Sequence, residues 1–249
     1  MMKKFVVLLC LTFLLFIPDY AFASFSKEQS IEEKVIYLKS EITETNKIID
    51  RAVNGETDVK NIYFDVLPSI QKLSSIPISN LFNKEEFEVF LTTQKLKQTQ
   101  SSEGVITTEY VTNAVVTYQD KSSGNIVDPS STVRGVVSIR WQEKFENSKM
   151  YFKLYSTSGS WTLQDSTFNL SNRKVTYGQV GLEACIYNDC NSTSNLTSNS
   201  FTKYAPSSWR WLSKNTNASS LSSTTSVNVN RGTSTFVFRI QVIKHGLGI

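Results

Sequence analysis

Histidine is almost missing from this chain: 249 residues contain one, His245, in the terminal run Lys-His-Gly-Leu-Gly-Ile. Serine–histidine and cysteine–histidine catalysis need an imidazole to carry the proton, and a lone histidine near a fraying end is poorly placed for that work. Cysteine is equally scarce, with Cys10, Cys185 and Cys190 the full set. Cys185, Cys190 and His245 fall short of the four ligands of a structural zinc site, and four residues between the two cysteines are too many for a thioredoxin-type redox pair. The spacings of a nucleophile elbow, a phosphate-binding glycine loop, a zinc-protease helix and a calcium loop are all absent. No metal and no cofactor is expected, and the protein reads as a non-enzyme.

Charge is thin as well. The formal net charge is +4, too small for a nucleic-acid binder. Acidic side chains stop at Asp189; beyond it only Lys203, Arg210, Lys214, Arg231, Arg239 and Lys244 carry charge. A mildly positive end facing an anionic partner, such as a wall polymer or lipid headgroup, is one expectation from this asymmetry. A sparsely charged Ser/Thr surface is the other.

Long apolar runs are limited to one, Phe5–Ile17, and it is shorter than the ~20 residues a membrane-crossing helix needs. Lys3 and Lys4 precede it and Ala21-Phe22-Ala23 follows, the small-x-small pattern of a signal-peptidase site. The reading is a signal peptide over residues 1–23, cut after Ala23, and a secreted, extracellular protein. The mature chain then keeps 24 basic and 21 acidic residues. The wealth of Lys, Asn, Ile and Ser has a bacterial look.

What remains divides near residue 100, and the expected fold class is α+β: a helical N-terminal region over 24–100, then an antiparallel β-sandwich or open barrel over 101–249. Ser30 and Glu33 have the form of a capping box. Ile31, Val35, Leu38, Ile42, Thr45, Ile49 and Ala52 follow at steps of four and three, which predicts a helix ended by Asn54-Gly55. Val59, Ile62, Tyr63, Val66, Leu67 and Ile70 predict a second helix, with Pro68 as a kink or break. Asn83 could cap a third over Phe87–Leu91, a stretch that reads equally as a strand.

Beyond Gly104 the pattern is one of strands. Val133, Val137, Ile139 and Trp141 share a face; Phe236, Phe238, Ile240 and Val242 alternate with Val237, Arg239 and Gln241; Ser156-Thr157-Ser158-Gly159 reads as a turn between two short strands. Cys185 and Cys190 are expected on opposed positions of a hairpin closed by four residues, where a non-hydrogen-bonded pair sits about 4.5 Å apart and a disulfide fits without distortion. Export favours that oxidised state. So short a loop would contribute about 2 kcal/mol, enough to pin a turn.

The candidate binding residues are Tyr204, Trp209, Arg210, Trp211 and Lys214, in the stretch Lys-Tyr-Ala-Pro-Ser-Ser-Trp-Arg-Trp-Leu-Ser-Lys. As a strand it would put Trp209 and Trp211 on one face, as a platform for a sugar ring or as core according to which side that face takes. Three functions fit these observations. The leading one is a secreted binding or surface-associated protein whose ligand is a glycan or an anionic wall polymer. A membrane-acting toxin is the second, suggested by Ser/Thr-rich strands such as 105–118 and 224–242. The third is a glycan hydrolase using two of Asp120, Asp128, Asp165, Glu183 and Asp189, provided two carboxyl groups face each other across a cleft.

Overall fold

The computed structural model describes residues 33–59, 62–72, 87–119, 132–181, 190–214 and 218–246. The signal peptide and its cleavage site, Ser30, Asn83, Asp120, Asp128, Glu183, Cys185 and Asp189 lie outside these residues.

The described residues hold twelve strands and one short helix. The strands are β1 (Lys34–Leu38), β2 (Phe64–Lys72), β3 (Phe87–Gln100), β4 (Ile106–Gln119), β5 (Thr132–Glu146), β6 (Lys149–Leu163), β7 (Phe168–Val180), β8 (Cys190–Leu196), β9 (Ser200–Tyr204), β10 (Leu212–Ser213), β11 (Ser220–Arg231) and β12 (Ser234–His245); helix α1 is Thr45–Val53. They form two antiparallel sheets. The first runs β1-β3-β4-β5-β6, with β9 and β10 both paired to the far side of β6; the second runs β2-β12-β11-β7-β8.

Alternation dictates which sides meet. In β5, Val133, Val137, Ile139 and Trp141 point inward and are fully buried, as their shared parity requires. Ala114 and Val116 of β4, Phe152 and Leu154 of β6, Val175 of β7, Val227 of β11, and Phe238, Ile240 and Val242 of β12 complete one core between the sheets. This is a sandwich in which both inner faces are apolar and the outer faces carry serine, threonine and charge. Gly135 lies where space is tightest: a Cβ there would come within 2.4 Å of the Ile240 side chain and 2.7 Å of Trp161.

The N-terminal region differs from expectation. Of the helix predicted from Ile31 to Ala52, among the described residues only Thr45–Val53 is helical, and Lys34–Leu38 instead pairs with β3 (Lys34↔Gln100). Val35, Ile36 and Tyr37 suit a pleated surface, and an available sheet edge outweighs a helical spacing that only permits a helix. The second predicted helix is strand β2, paired with β12 so that Pro68 lies opposite Ile240. Because β2 is the edge of its sheet, the missing proline N–H breaks no second ladder. Phe87–Leu91, readable either way, belongs to β3. The change of composition near residue 100 coincides with the turn between β3 and β4, where Gly104 adopts φ 80°.

One strand-level reading also changes. Ser156–Gly159 is not a turn: β6 continues through it, and the reversal lies at Asn147-Ser148, both with positive φ (51° and 61°) as a two-residue hairpin demands. Cys190 faces Gln179 on β7. Cys185, the other half of the expected pair, lies outside the described residues.

Candidate functional site

The outer face of the first sheet carries a groove of about 380 Å³. Its floor is built by strand parity. With Val137, Ile139, Thr157 and Trp161 turned inward, the intervening Val136, Ser138, Arg140, Ser156, Ser158 and Ser160 must face out, and Val111 and Asn113 of β4 join them. One wall is α1 with the segment before it, through Glu41, Ile42, Thr45 and Ile48. The other is β9, whose Ser200, Thr202 and Tyr204 lie directly opposite Ser160, Ser158 and Ser156. Gly159, on the inward side of β6, has no room for a side chain: a Cβ there would press within 2.7 Å of the Val136 carbonyl and 2.8 Å of the Phe201 ring.

Local forces hold the α1 wall. Ile48 and Ala52 form a small second core with Val115 and Val136. The Gln94 amide clamps the preceding segment, accepting from the Ile42 N–H at 3.1 Å and donating to the Ser40 carbonyl at 2.6 Å. At the other end Arg51 donates to the Thr92 hydroxyl (2.9 Å) and pairs with Asp58, which also pairs with Lys39 at 3.1 Å. Burial pushes the Asp58 carboxyl up, but hydrogen bonds from Arg51 and Lys39, the Arg51 charge and the Lys95 N–H outweigh it and hold it below its ordinary value.

A bulge supplies the aromatic corner. Arg140 faces Ser156 while Trp141 faces Leu154, so Tyr155 is an extra residue in β6. It emerges 42% exposed on the outer face, its ring 5.7 Å from the Arg140 guanidinium and edge-on to Tyr204 at 6.0 Å and 87°. Tyr204 is 65% exposed. Arg140 is held between two carboxylates, Glu41 at 3.1 Å and Glu109 at 2.6 Å. The Nε–H is not aligned with the Glu109 oxygen, so that contact is an ion pair rather than a directed hydrogen bond.

The five predicted binding residues are dispersed. Tyr204 lines the groove. Trp209 is only 6% exposed and packs against Tyr177 at 6.0 Å. Residues 206–209 form a turn closed from the Trp209 N–H to the Pro206 carbonyl, so no continuous strand puts the two tryptophans side by side. Arg210 is exposed, and its carbonyl accepts from the Gln179 amide at 2.6 Å. Trp211 is half-buried with the Lys144 ammonium 5.3 Å from its ring, and Lys214 pairs with Glu143 at 2.8 Å.

Glu143 also meets Lys244 at 3.8 Å. Lys244 continues the inward row of β12, 1% exposed, with its ammonium 4.3 Å from the Trp141 ring and 4.8 Å from that of Phe152. Burial pulls it down to about 8, with Glu143 pulling the other way. The Tyr110 hydroxyl, its ring stacked on Trp141, is pushed up to about 12 by burial and then by the Glu143 charge. Two of the six cations expected on a positive surface are thus engaged by Glu143, and Lys244 is internal.

His245 pairs with Asp65 at 2.8 Å, and the Asp165 carboxylate accepts from the Thr167 N–H in a turn. Cys190 is fully buried and disulfide-bonded. Among the described residues no three His, Cys, Asp or Glu side chains gather as metal ligands, and no helix is long and apolar enough to cross a membrane.

The sequence reading missed Arg140, Tyr155, Glu41 and the serine rows. Their signal was present: Ser156, Ser158 and Ser160 alternate with Thr157, Gly159 and Trp161, which becomes legible once 149–163 is taken as one strand. Comparison with protein-family models, with curated proteins and with solved structures finds no match.

Proposed function

We propose that this is a secreted, non-enzymatic, surface-associated protein that binds a glycan or wall polymer in the groove on the outer face of its first sheet. The observation that carries the reading is the groove's lining: exposed Tyr204 at one end with exposed Tyr155 edge-on beside it, a floor of hydroxyls and an amide from Ser138, Ser156, Ser158, Ser160 and Asn113, and a fixed guanidinium. Tyrosine rings offer flat apolar faces for the C–H side of a sugar ring, while short hydroxyls exchange hydrogen bonds with sugar hydroxyls at little entropic cost. Export after Ala23 and a Cys185–Cys190 bridge belong to the same proposal.

The test is a glycan and wall-polymer array with the mature protein, followed by calorimetry on any hit. Tyr204→Ala and Tyr155→Ala are expected to weaken binding about tenfold each, a loss of roughly 1.4 kcal/mol. Unchanged affinity in both variants would move the site elsewhere.

A second reading, a membrane-acting toxin, draws on the length and polarity of the strands. β3–β6 run 14 to 15 residues each, beyond the roughly 9–11 that a tilted strand needs to cross a bilayer. The sandwich interior also holds a hydroxyl contact, Thr157 to Ser223 at 2.6 Å. Dye release from liposomes supports this reading; intact liposomes across several lipid compositions remove it.

A further inference from the structure

Resting on the groove reading above, we infer that its ligand is an uncharged, hydroxyl-rich oligosaccharide, and that Glu41 and Glu109 set this specificity by cancelling Arg140. The chain as a whole is basic, and six cations follow its last acidic residue, which by itself would favour an anionic polymer. The groove departs from that average. Its charged lining residues are Glu41 and Arg140, and Glu109 holds Arg140 from the side.

One cation between two carboxylates leaves the cluster with a net charge of −1. A phosphate or uronate reaching Arg140 would come within range of both carboxylates, and the repulsion would offset the attraction. The clamp has a second effect. Two ion pairs and the Tyr155 ring fix the guanidinium plane, so the N–H groups not engaged by the carboxylates are pre-oriented donors for neutral oxygens. The other cations on this outer face are outside the lining. Arg134 donates to the Thr117 hydroxyl, Lys153 to the Ser207 carbonyl, and Lys144 pairs with Glu146. The remaining polar groups of the floor are serine hydroxyls and the Asn113 amide, which recognise hydroxyls and carry no charge.

The experiment titrates the mature protein with neutral hexasaccharides of glucose, mannose, galactose and N-acetylglucosamine. Hyaluronan hexasaccharide and a glycerol-phosphate hexamer are titrated in parallel, each set at low and high salt. The expected result is binding of at least one neutral probe, with affinity changing less than about twofold between 50 and 500 mM NaCl because no counterions are exchanged. Glu41→Gln is expected to shift the preference between charged and neutral probes about fivefold or more toward the charged ones, by removing one of the two opposing charges. Preferential, salt-sensitive binding of hyaluronan or glycerol phosphate by the wild-type protein overturns this inference and leaves the glycan-binding reading standing. Absence of binding by every probe overturns both.

Discussion

Lys244 is a charge in a row otherwise made of Phe236, Phe238, Ile240 and Val242, and its energetics follow from that position. With its folded value lowered to about 8 from 10.5, the sign of its effect on stability is determined. Below pH 8 the group is protonated in both folded and unfolded chains, and the full cost of burying the charge applies. Between 8 and 10.5 the unfolded chain binds more protons, so stability rises with pH across that window. Lys244→Met should therefore stabilise the protein by about 1–3 kcal/mol at pH 7, because Glu143 retains Lys214 and the aromatic pocket accepts a thioether. Urea denaturation at pH 7 and pH 10 checks this, and the variant should lose the alkaline rise. Trp209 makes a contrasting prediction. As a core side chain against Tyr177, its replacement by alanine should cost about 3–5 kcal/mol in stability and alter ligand binding only through unfolding. The alternating apolar rows of β5 and β12 were legible in the sequence, since period two with alternate polar residues has one half-buried solution. The fate of Trp209 was not: a Trp-x-Trp pair looks the same whether the segment is a strand or a turn, and the turn was decided by Pro206.

Helix α1 is the element on which the groove depends, and it is short. Nine residues are too few for an isolated helix in water, so α1 persists through Ile48 and Ala52 and through the Arg51–Asp58 and Gln94 clamps. A depressed carboxylate value means that Asp58 contributes fully above its unfolded value near 4 and loses that contribution as pH falls through the lower folded value. Acidification should accordingly loosen α1 before the sheets, seen as faster hydrogen exchange over 45–53, and Asp58→Asn should show the fast exchange already at pH 7. The misread helices around it have the same origin in opposite form. Stripes at steps of three and four are compatible with a helix wherever the residues are apolar, but Val35, Ile36 and Tyr37 found β3 as a partner and Val66 and Ile70 found β12. Strand partners far along the chain leave no local signature, and the Tyr155 bulge, which aims the groove's aromatic corner, leaves none either.

At the scale of the whole molecule, the sandwich keeps its apolar rows between the sheets and puts a hydroxyl-rich face outward, the division that lets a serine-rich chain be stable and still present a polar groove. Composition announced this β architecture past residue 104, while the recruitment of β1, β2 and β3 into the same sheets came from long-range pairing alone. Half of the pairings join strands adjacent in sequence, but the second sheet is completed only when β2 meets β12, with Phe64 opposite Lys244. Contacts so distant in the chain slow the search for the native state, and refolding from urea should take on the order of milliseconds to seconds rather than microseconds, as stopped-flow fluorescence of the buried tryptophans would record. The β2–β12 seam has a consequence for biosynthesis: β2, made early, has no strand to pair with until nearly the whole polypeptide has been made.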